Sequence, residues 1–122
     1  MIKVIKSGFW KSTGGNPFWI KVIENNVFGL GMNNVSQEYT LGEKWCHVGK
    51  GEIQDMFLYL EWSDIPGGTD ELNGKIKVET LNETRMKVVE DSGSLGLSTW
   101  NRVSNKKDFA DCLMSENQEI NG

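Results

Sequence analysis

The sequence is poor in several residue types on which small-protein functions often depend. Its 122 residues include one histidine, two cysteines and two prolines. A lone histidine provides no His cluster for zinc. The longest apolar stretches fall short of the roughly 20 residues that span a bilayer, and the beginning, residues 1 to 6, lacks the apolar run of a secretory signal. We therefore expect a cytoplasmic protein with no metal, no cofactor and no membrane partner.

The cysteines and the charge balance argue against two further classes of protein, those held by disulfides and those that bind nucleic acid. Without a secretory signal, Cys46 and Cys112 are interpreted as free thiols rather than as a disulfide. The 13 basic and 17 acidic side chains give a net charge of −4. Binding to nucleic acid depends on neutralising phosphates with a basic patch. We therefore expect no nucleic-acid partner.

Alternation of apolar and polar residues predicts an all-β chain. In Lys75 to Leu81, Ile76 and Val78 share one face while lysines and a glutamate occupy the other, which is the period of a half-buried strand. Similar runs give about eight strands with no amphipathic helix between them: Gly8–Ser12, Phe18–Glu24, Val27–Met32, Trp45–Val48, Glu52–Trp62, Lys75–Leu81, Arg85–Val89 and Leu95–Val103. A single antiparallel up-and-down β-barrel closes such a chain without leaving sheet edges.

Turn residues and loops complete this organisation. Asn25-Asn26 and Asn82-Glu83 are predicted hairpin turns, because Asn tolerates positive φ. The irregular stretch Ser63 to Asp70 is expected to lie over one barrel mouth as a lid or rim loop. The barrel domain takes residues 1–104, and residues 105–122 form a polar tail with a possible short helix. The chain is thus one domain and a tail.

The two ends of the barrel region resemble those of the calycins. Gly8-Phe9-Trp10 resembles the Gly-x-Trp that opens the first strand of lipocalins, and Arg102 resembles the arginine that covers this Trp from their last strand. The order of elements is similar to that of a largely uncharacterised group of small bacterial barrels with a lipocalin-like or avidin-like character. The matching pieces also include Gly14-Gly15, Phe18-Trp19-Ile20-Lys21, residues 26–31, residues 61–68 and residues 96–102. The resemblance implies a barrel, with no reaction and no biotin site attached.

The candidate ligand site follows from the tryptophans. Five tryptophans are many for this length, and Trp is a preferred wall of apolar pockets. We assign Trp10 and Trp100 to the closing cluster, with Arg102 as a cation–π lid and a donor to carbonyls. Trp19 is expected outside the barrel and Trp62 at a mouth. The first hypothesis is a noncatalytic barrel whose lumen binds a partly apolar or aromatic small molecule, with Ser98 and Arg102 orienting it. The lining is predicted to be Phe18, Ile20, Phe28, Leu30, Met56, Leu58, Trp62 and Met86.

Two other functions remain open. One is a protein–protein interaction or inhibitor module whose lumen is filled by side chains. The predicted strand Glu52–Trp62 is apolar on both faces, which favours a homodimer or another protein partner on its outer face. Lumen volume distinguishes this hypothesis from the first.

The second of these open functions is a calycin-type enzyme. It has the least support, so we expect no catalytic activity. Cys46 and His47 are adjacent on a strand and point to opposite faces, so they cannot form a nucleophile–base pair. We interpret His47 as a surface or satisfied histidine, and Asp64, Asp70 and Glu71 as solvated loop charges. Gly49-Lys50-Gly51 is predicted to be a hairpin turn rather than a phosphate loop.

Overall fold

The chain folds into a closed barrel of eight antiparallel strands in a computed structural model that describes residues 5–93 and 96–105. The strands are β1 (Gly8–Ser12), β2 (Pro17–Ile23), β3 (Asn26–Met32), β4 (Cys46–Gln54), β5 (Phe57–Asp64), β6 (Asn73–Asn82), β7 (Arg85–Asp91) and β8 (Thr99–Ser104). Each strand pairs with the next, and β8 pairs with β1. The predicted up-and-down barrel is confirmed. The tail from residue 106 onward, with Cys112 and the predicted short helix, lies outside the described residues. In the described part of the chain, no helix is long and apolar enough to cross a membrane.

The two chain ends meet as the sequence predicts. Trp10 of β1 stands opposite Arg102 of β8 in the ladder. The Trp10 side chain is fully buried, and its Nε1 donates to the Lys6 carbonyl at 3.1 Å. Arg102 Nε donates to the Ser7 carbonyl at 2.9 Å, so the predicted donor role of Arg102 is confirmed. These bonds join the segment before β1 to the last strand.

The barrel interior is packed with side chains. Alternate residues of the strands point inward, as expected for a pleated sheet with one buried face. The buried core includes Phe18, Ile20, Val27, Ile53, Leu58, Leu60, Trp62, Ile76, Val78, Met86, Val88 and Trp100. The cavity that remains in the lumen has a volume of about 20 Å³, room for about one water molecule. Trp62 stands opposite Gly49, which pairs in turn with Gly29, so two missing side chains leave room for one large one.

The predicted single strand Glu52–Trp62 is wrong, because a tight turn at Asp55 and Met56 divides it between β4 and β5. Asp55 adopts a left-handed conformation with φ of 58°, which Asp tolerates better than most residues. Gly49-Lys50-Gly51, predicted as a hairpin turn, lies inside β4. A Cβ at Gly51 would lie 2.2 Å from the Tyr59 carbonyl oxygen, so this glycine serves close strand pairing rather than a turn.

The division of that strand also changes the argument for an apolar outer face. Ile53 is buried in the lumen from β4. The outward ring of Phe57 belongs to β5 and lies beneath Lys77, whose Nζ is 4.3 Å from the ring centroid. Tyr59, two residues along, lies 5.8 Å from the same Nζ. A lysine therefore covers part of the face on which the sequence predicts a homodimer or another protein partner.

Two other boundaries are shifted. The β2–β3 turn comprises Glu24 and Asn25, and the residue with positive φ is Glu24, at 56°, rather than an asparagine. The β6–β7 turn comprises Glu83 and Thr84, and Asn82 Oδ1 accepts a hydrogen bond from the Thr84 amide at 2.9 Å. Asn82 therefore supports its turn from the preceding strand residue.

Candidate functional site

One end of the barrel, here called the mouth, is formed by the loops that precede β2, β4, β6 and β8. The predicted rim loop after β5 lies here and is tied to the loop before β4. Ile65 N donates to the Cys46 carbonyl at 2.7 Å, and the amides of Thr69 and Asp70 each donate to the Lys44 carbonyl at 2.8 Å. These bonds hold two long loops together as one rim.

Asn33 fixes the loop before β4. Its side chain is buried, with the residue 6% exposed. Its Oδ1 accepts from the amides of Lys44 and Trp45 at 2.8 and 3.0 Å, and its Nδ2 donates to the carbonyls of Asn34 and Thr40. One amide side chain therefore replaces four water contacts of the loop backbone and sets the position of Trp45.

An aromatic cluster fills the barrel below this rim. The Trp45 and His47 rings are stacked, with centroids 4.6 Å apart and an interplanar angle of 9°. Trp62 packs obliquely on His47 at 5.1 Å. Phe18 stacks on Trp100 at 4.6 Å and lies 5.7 Å from His47. The cluster closes the lumen and provides the floor of the mouth.

His47 and Asp64 face each other at this floor. They are direct partners in the β4–β5 ladder, and their side chains are only 8% and 3% exposed. His47 Nδ1 lies 3.5 Å from Asp64 Oδ1, a separation too long for a good hydrogen bond. The other carboxylate oxygen, Oδ2, accepts from the Leu72 amide at 3.0 Å.

Two buried polar atoms at the floor lack a hydrogen-bond partner within residues 5–93 and 96–105. They are Oδ1 of Asp64 and Nε1 of Trp62. Buried polar groups in native proteins are nearly always bonded to protein, water or a ligand. Both atoms are closed off from solvent, and Asp64 Oδ1 faces the imidazole of His47.

Burial controls the protonation of the groups around the floor. It lowers the pKa of His47, and the neighbouring Asp64 carboxylate opposes this effect. His47 is consequently neutral at pH 7. Burial also raises the pKa of the Cys46 thiol, with a further contribution from Asp64, so the thiol stays protonated and unreactive.

A pocket of about 280 Å³ lies above this floor. It combines aromatic rings, acidic side chains and one lysine at the rim. Its lining residues are Asn16, Lys44, Trp45, His47, Trp62, Asp64, Asp70 and Leu72. In the part of the chain that the structure describes, no group of three or more His, Cys, Asp or Glu side chains could hold a metal ion.

The structure brings together only part of the predicted ligand set. Trp62 reaches both the pocket and the lumen, and Phe18 and Leu58 line the lumen with it. Ser98 lies toward the mouth and accepts from Trp100 Nε1 at 2.9 Å. Arg102 is bonded to the segment before β1, toward the opposite end of the barrel. These last two residues therefore do not orient one ligand together.

Three residues of the predicted lumen lining lie outside the lumen. Phe28 is 40% exposed, and Met56 is 53% exposed in the β4–β5 turn. Leu30 shares the outer face with Phe28, because the alternating Val27, Gly29 and Gly31 point inward. Prediction assigned the larger apolar residues of β3 to the core, but the lumen has room on this strand mainly for glycines.

Sequence reasoning missed the pairing of His47 with Asp64. His47 is buried rather than on the surface, and Asp64 is not a solvated loop charge. The signal was present in the hairpin register, because a turn at Asp55 and Met56 places position 47 opposite position 64. The mistaken strand Glu52–Trp62 concealed it.

Comparisons with protein-family models, with curated proteins and with solved structures found no match for this chain. The fold and the mouth geometry therefore carry the functional argument.

Proposed function

We propose that this protein is a noncatalytic, cytoplasmic, calycin-like barrel that binds a partly apolar or aromatic small molecule at its mouth. The single observation that carries this proposal is a pocket of about 280 Å³ whose lining combines the rings of Trp45, His47 and Trp62 with polar side chains at the rim. The ligand rests on Trp45, His47 and Trp62 rather than deep in the lumen, whose free volume of about 20 Å³ admits no organic molecule.

Energetics favour an occupant. A ligand that covers the aromatic wall of the pocket gains free energy in proportion to the apolar area that it removes from water. The half-buried Trp45 adds apolar area, worth about 25 cal/mol per Å² when covered. The pocket volume lies just below the roughly 300 Å³ at which ligand pockets usually begin. The pocket therefore suits a small, compact ligand.

The arrangement of His47 supports binding rather than catalysis. Its Nδ1 faces Asp64, and its Nε2 lies 2.8 Å from where a Cβ of Gly31 would stand on the inner wall. Nδ1 is therefore directed at a carboxylate of the protein, and the ring faces pack on Trp45 and Trp62. A general base must reach the proton that it abstracts from the substrate, and this ring is used as packing surface.

Native mass spectrometry of protein purified gently from its expression host tests the proposal. We expect a mass excess that disappears on denaturation in the wild type, and a lower occupancy in Trp45→Ala, since this variant removes apolar surface from the pocket. Tyr59→Ala removes an aromatic ring from the outer face of β5, away from the pocket, and should retain the ligand. Equal occupancy in both variants would place the ligand elsewhere.

A second candidate is a protein–protein interaction or inhibitor module. The observation that favours it is the filled lumen. This function predicts a lumen filled by side chains, whereas ligand binding in the lumen needs a cavity. Its docking surface would be an open groove of about 820 Å³ on the outside of β3 to β6, where Phe28 and Val48 are exposed. Bare protein in every spectrum, as monomer or dimer, would move the preference to this candidate.

A further inference from the structure

We propose that residues 108–122, the acidic C-terminal segment of this chain, bind back to a groove on the outside of β2, β3 and β4. The groove shares no lining residue with the mouth pocket. Its occupation by the segment is therefore separate from the proposed binding of a small molecule.

An apolar row crosses the outside of these three strands. Trp19 stands opposite Leu30 in the ladder, and Leu30 stands opposite Val48. Side chains that stand directly opposite on one face of a sheet lie within contact range. Trp19, Leu30 and the neighbouring Phe28 line an open groove of about 500 Å³, here called the outer groove. Val48 is 43% exposed beside it, and contiguous exposed apolar side chains usually mark a binding surface.

The next row along the strands is basic. Phe28, which is 40% exposed, stands between Lys21 of β2 and Lys50 of β4 in the ladder. Both lysines are exposed, and neither forms an ion pair within the described residues. The carboxylate nearest to Lys50 along the ladder, that of Glu61, pairs instead with Lys75 at 3.6 Å. The outer groove therefore suits an occupant with both carboxylates and apolar side chains.

The C-terminal segment has this composition. Residues 108–122 contain four acidic residues and no lysine or arginine. The rest of the chain has 13 acidic and 13 basic side chains, so the segment accounts for the whole net charge of −4. Its acidic residues are Asp108, Asp111, Glu116 and Glu119, and its apolar residues include Phe109, Leu113, Met114 and Ile120. The segment thus complements the outer groove in charge and in apolar character.

The described chain ends at the groove. Asn105 lines the outer groove together with Phe28. Phe109 follows Asn105 by four residues, which reach about 14 Å when extended, and Lys106 and Lys107 belong to this tether. A short tether gives an effective concentration in roughly the millimolar range, so even a contact with a dissociation constant of about 1 mM is well populated. The chain's own segment is therefore favoured over that of a second copy at micromolar concentration.

A nitroxide spin label on Cys112 tests the proposal in the full chain. Cys112 lies in the acidic segment, and the other cysteine, Cys46, is buried, so the label attaches selectively. The label broadens the NMR signals of nuclei close to it. We expect broadening of the Trp19 indole and of the Phe28 amide, and none at Lys87 of β7, which lies four strands away from β3 in the closed barrel. Added salt should weaken the effect, because it screens the attraction between exposed charges.

Two charge-reversal variants provide a matched comparison. Replacing the groove lysines together, Lys21→Glu with Lys50→Glu, should reduce the broadening at Phe28 at least about twofold, because the segment then meets like charge. Lys87→Glu reverses an exposed charge on β7 and should leave the broadening unchanged. Equal broadening in both variants would overturn the assignment of the groove lysines.

The occupant is identified by mixing isotope-labelled chains that carry no spin label with spin-labelled chains that carry no isotope. We expect the broadening at Phe28 to be absent from this mixture. Its presence there would overturn the proposal in favour of the segment of a second copy. Broadening in the singly labelled chain that is as strong at Lys87 as at Phe28, or that is missing at Phe28, would also overturn it. These comparisons use the wild-type sequence, so they decide the proposal even if the double variant does not fold.

Discussion

Replacing Gly31 by alanine should destabilise the barrel although it adds only one methyl group. A Cβ at this position would lie 2.4 Å from Phe18 Cε1, 2.6 Å from Phe18 Cδ1 and 2.8 Å from His47 Nε2. Separations of this kind force a neighbour to move. The Phe18 ring cannot turn away easily, because it is stacked on Trp100 at 4.6 Å.

The expected magnitude follows from the cost of overpacking. Inserting a methyl group into a well-packed core costs about 1–3 kcal/mol. Alanine also reduces the conformational entropy of the unfolded chain, which offsets about 0.4–1 kcal/mol. The net loss should be about 1–2 kcal/mol, or roughly 4–8 °C in the midpoint of thermal unfolding for a chain of this length.

Gly29→Ala is the matched control. Gly29 lies two residues earlier on the same inner face of β3, and the nearest atom to its added Cβ would be Ile20 Cδ1 at 3.5 Å, an ordinary contact. This variant should be neutral or slightly stabilising. Both variants can be compared by urea unfolding followed by tryptophan fluorescence. Equal stability of the two would refute the claim that the aromatic cluster fills the mouth end of the lumen.

Three further predictions concern single groups at the mouth. Because burial lowers the pKa of His47, the unfolded chain binds more protons than the folded chain below about pH 6.5. The free energy of unfolding should therefore decrease as the pH falls through that range, by up to about 1.4 kcal/mol per pH unit. Urea titrations should show this slope in the wild type and lose it in His47→Gln. In a Cys112→Ser variant, the remaining buried thiol of Cys46 should react with a disulfide reagent far more slowly in the folded than in the urea-unfolded chain, and equal rates would contradict its burial. Asn33→Ala leaves two loop amides without their acceptor and should lower the free energy of unfolding by about 1–3 kcal/mol. It should also shift the indole resonance of Trp45. An unchanged spectrum would show that the loop does not depend on Asn33.

The fold was predictable because the strands obey simple periodicity. Ile76 and Val78 point inward as their alternation indicates, and so do Phe18 and Ile20. The pairing of Trp10 with Arg102 closed the barrel in the expected way. Where one face of a strand is much more apolar than the other, the hydrophobic effect alone selects the buried face.

The same rule fails where the core needs space rather than apolar area. On β3 the inward positions include Gly29 and Gly31, because Ile20 lies in front of Gly29 and the rings of Phe18 and His47 occupy the volume in front of Gly31. Single-strand patterns do not contain this information, which depends on residues from three strands. Phe28 was therefore assigned to the wrong face.

The candidate site was harder to predict than the fold because it depends on register. His47 and Asp64 are 17 positions apart in the sequence and meet only when the β4–β5 turn is placed at Asp55. An exposed turn with no glycine or proline at its centre gave a weak signal. A correct turn would have brought a histidine and a carboxylate together beneath the rim.

The most direct test of the account is the spectrum of the indole N–H groups while a panel of small organic molecules, cations included, is added to the protein. Ligand binding at the mouth predicts that the resonances of Trp62 and Trp45 shift together, while that of Trp10, whose N–H is bonded to Lys6, stays in place. Shifts confined to Trp10, or binding that leaves Trp62 and Trp45 unchanged, would contradict the assignment of the site.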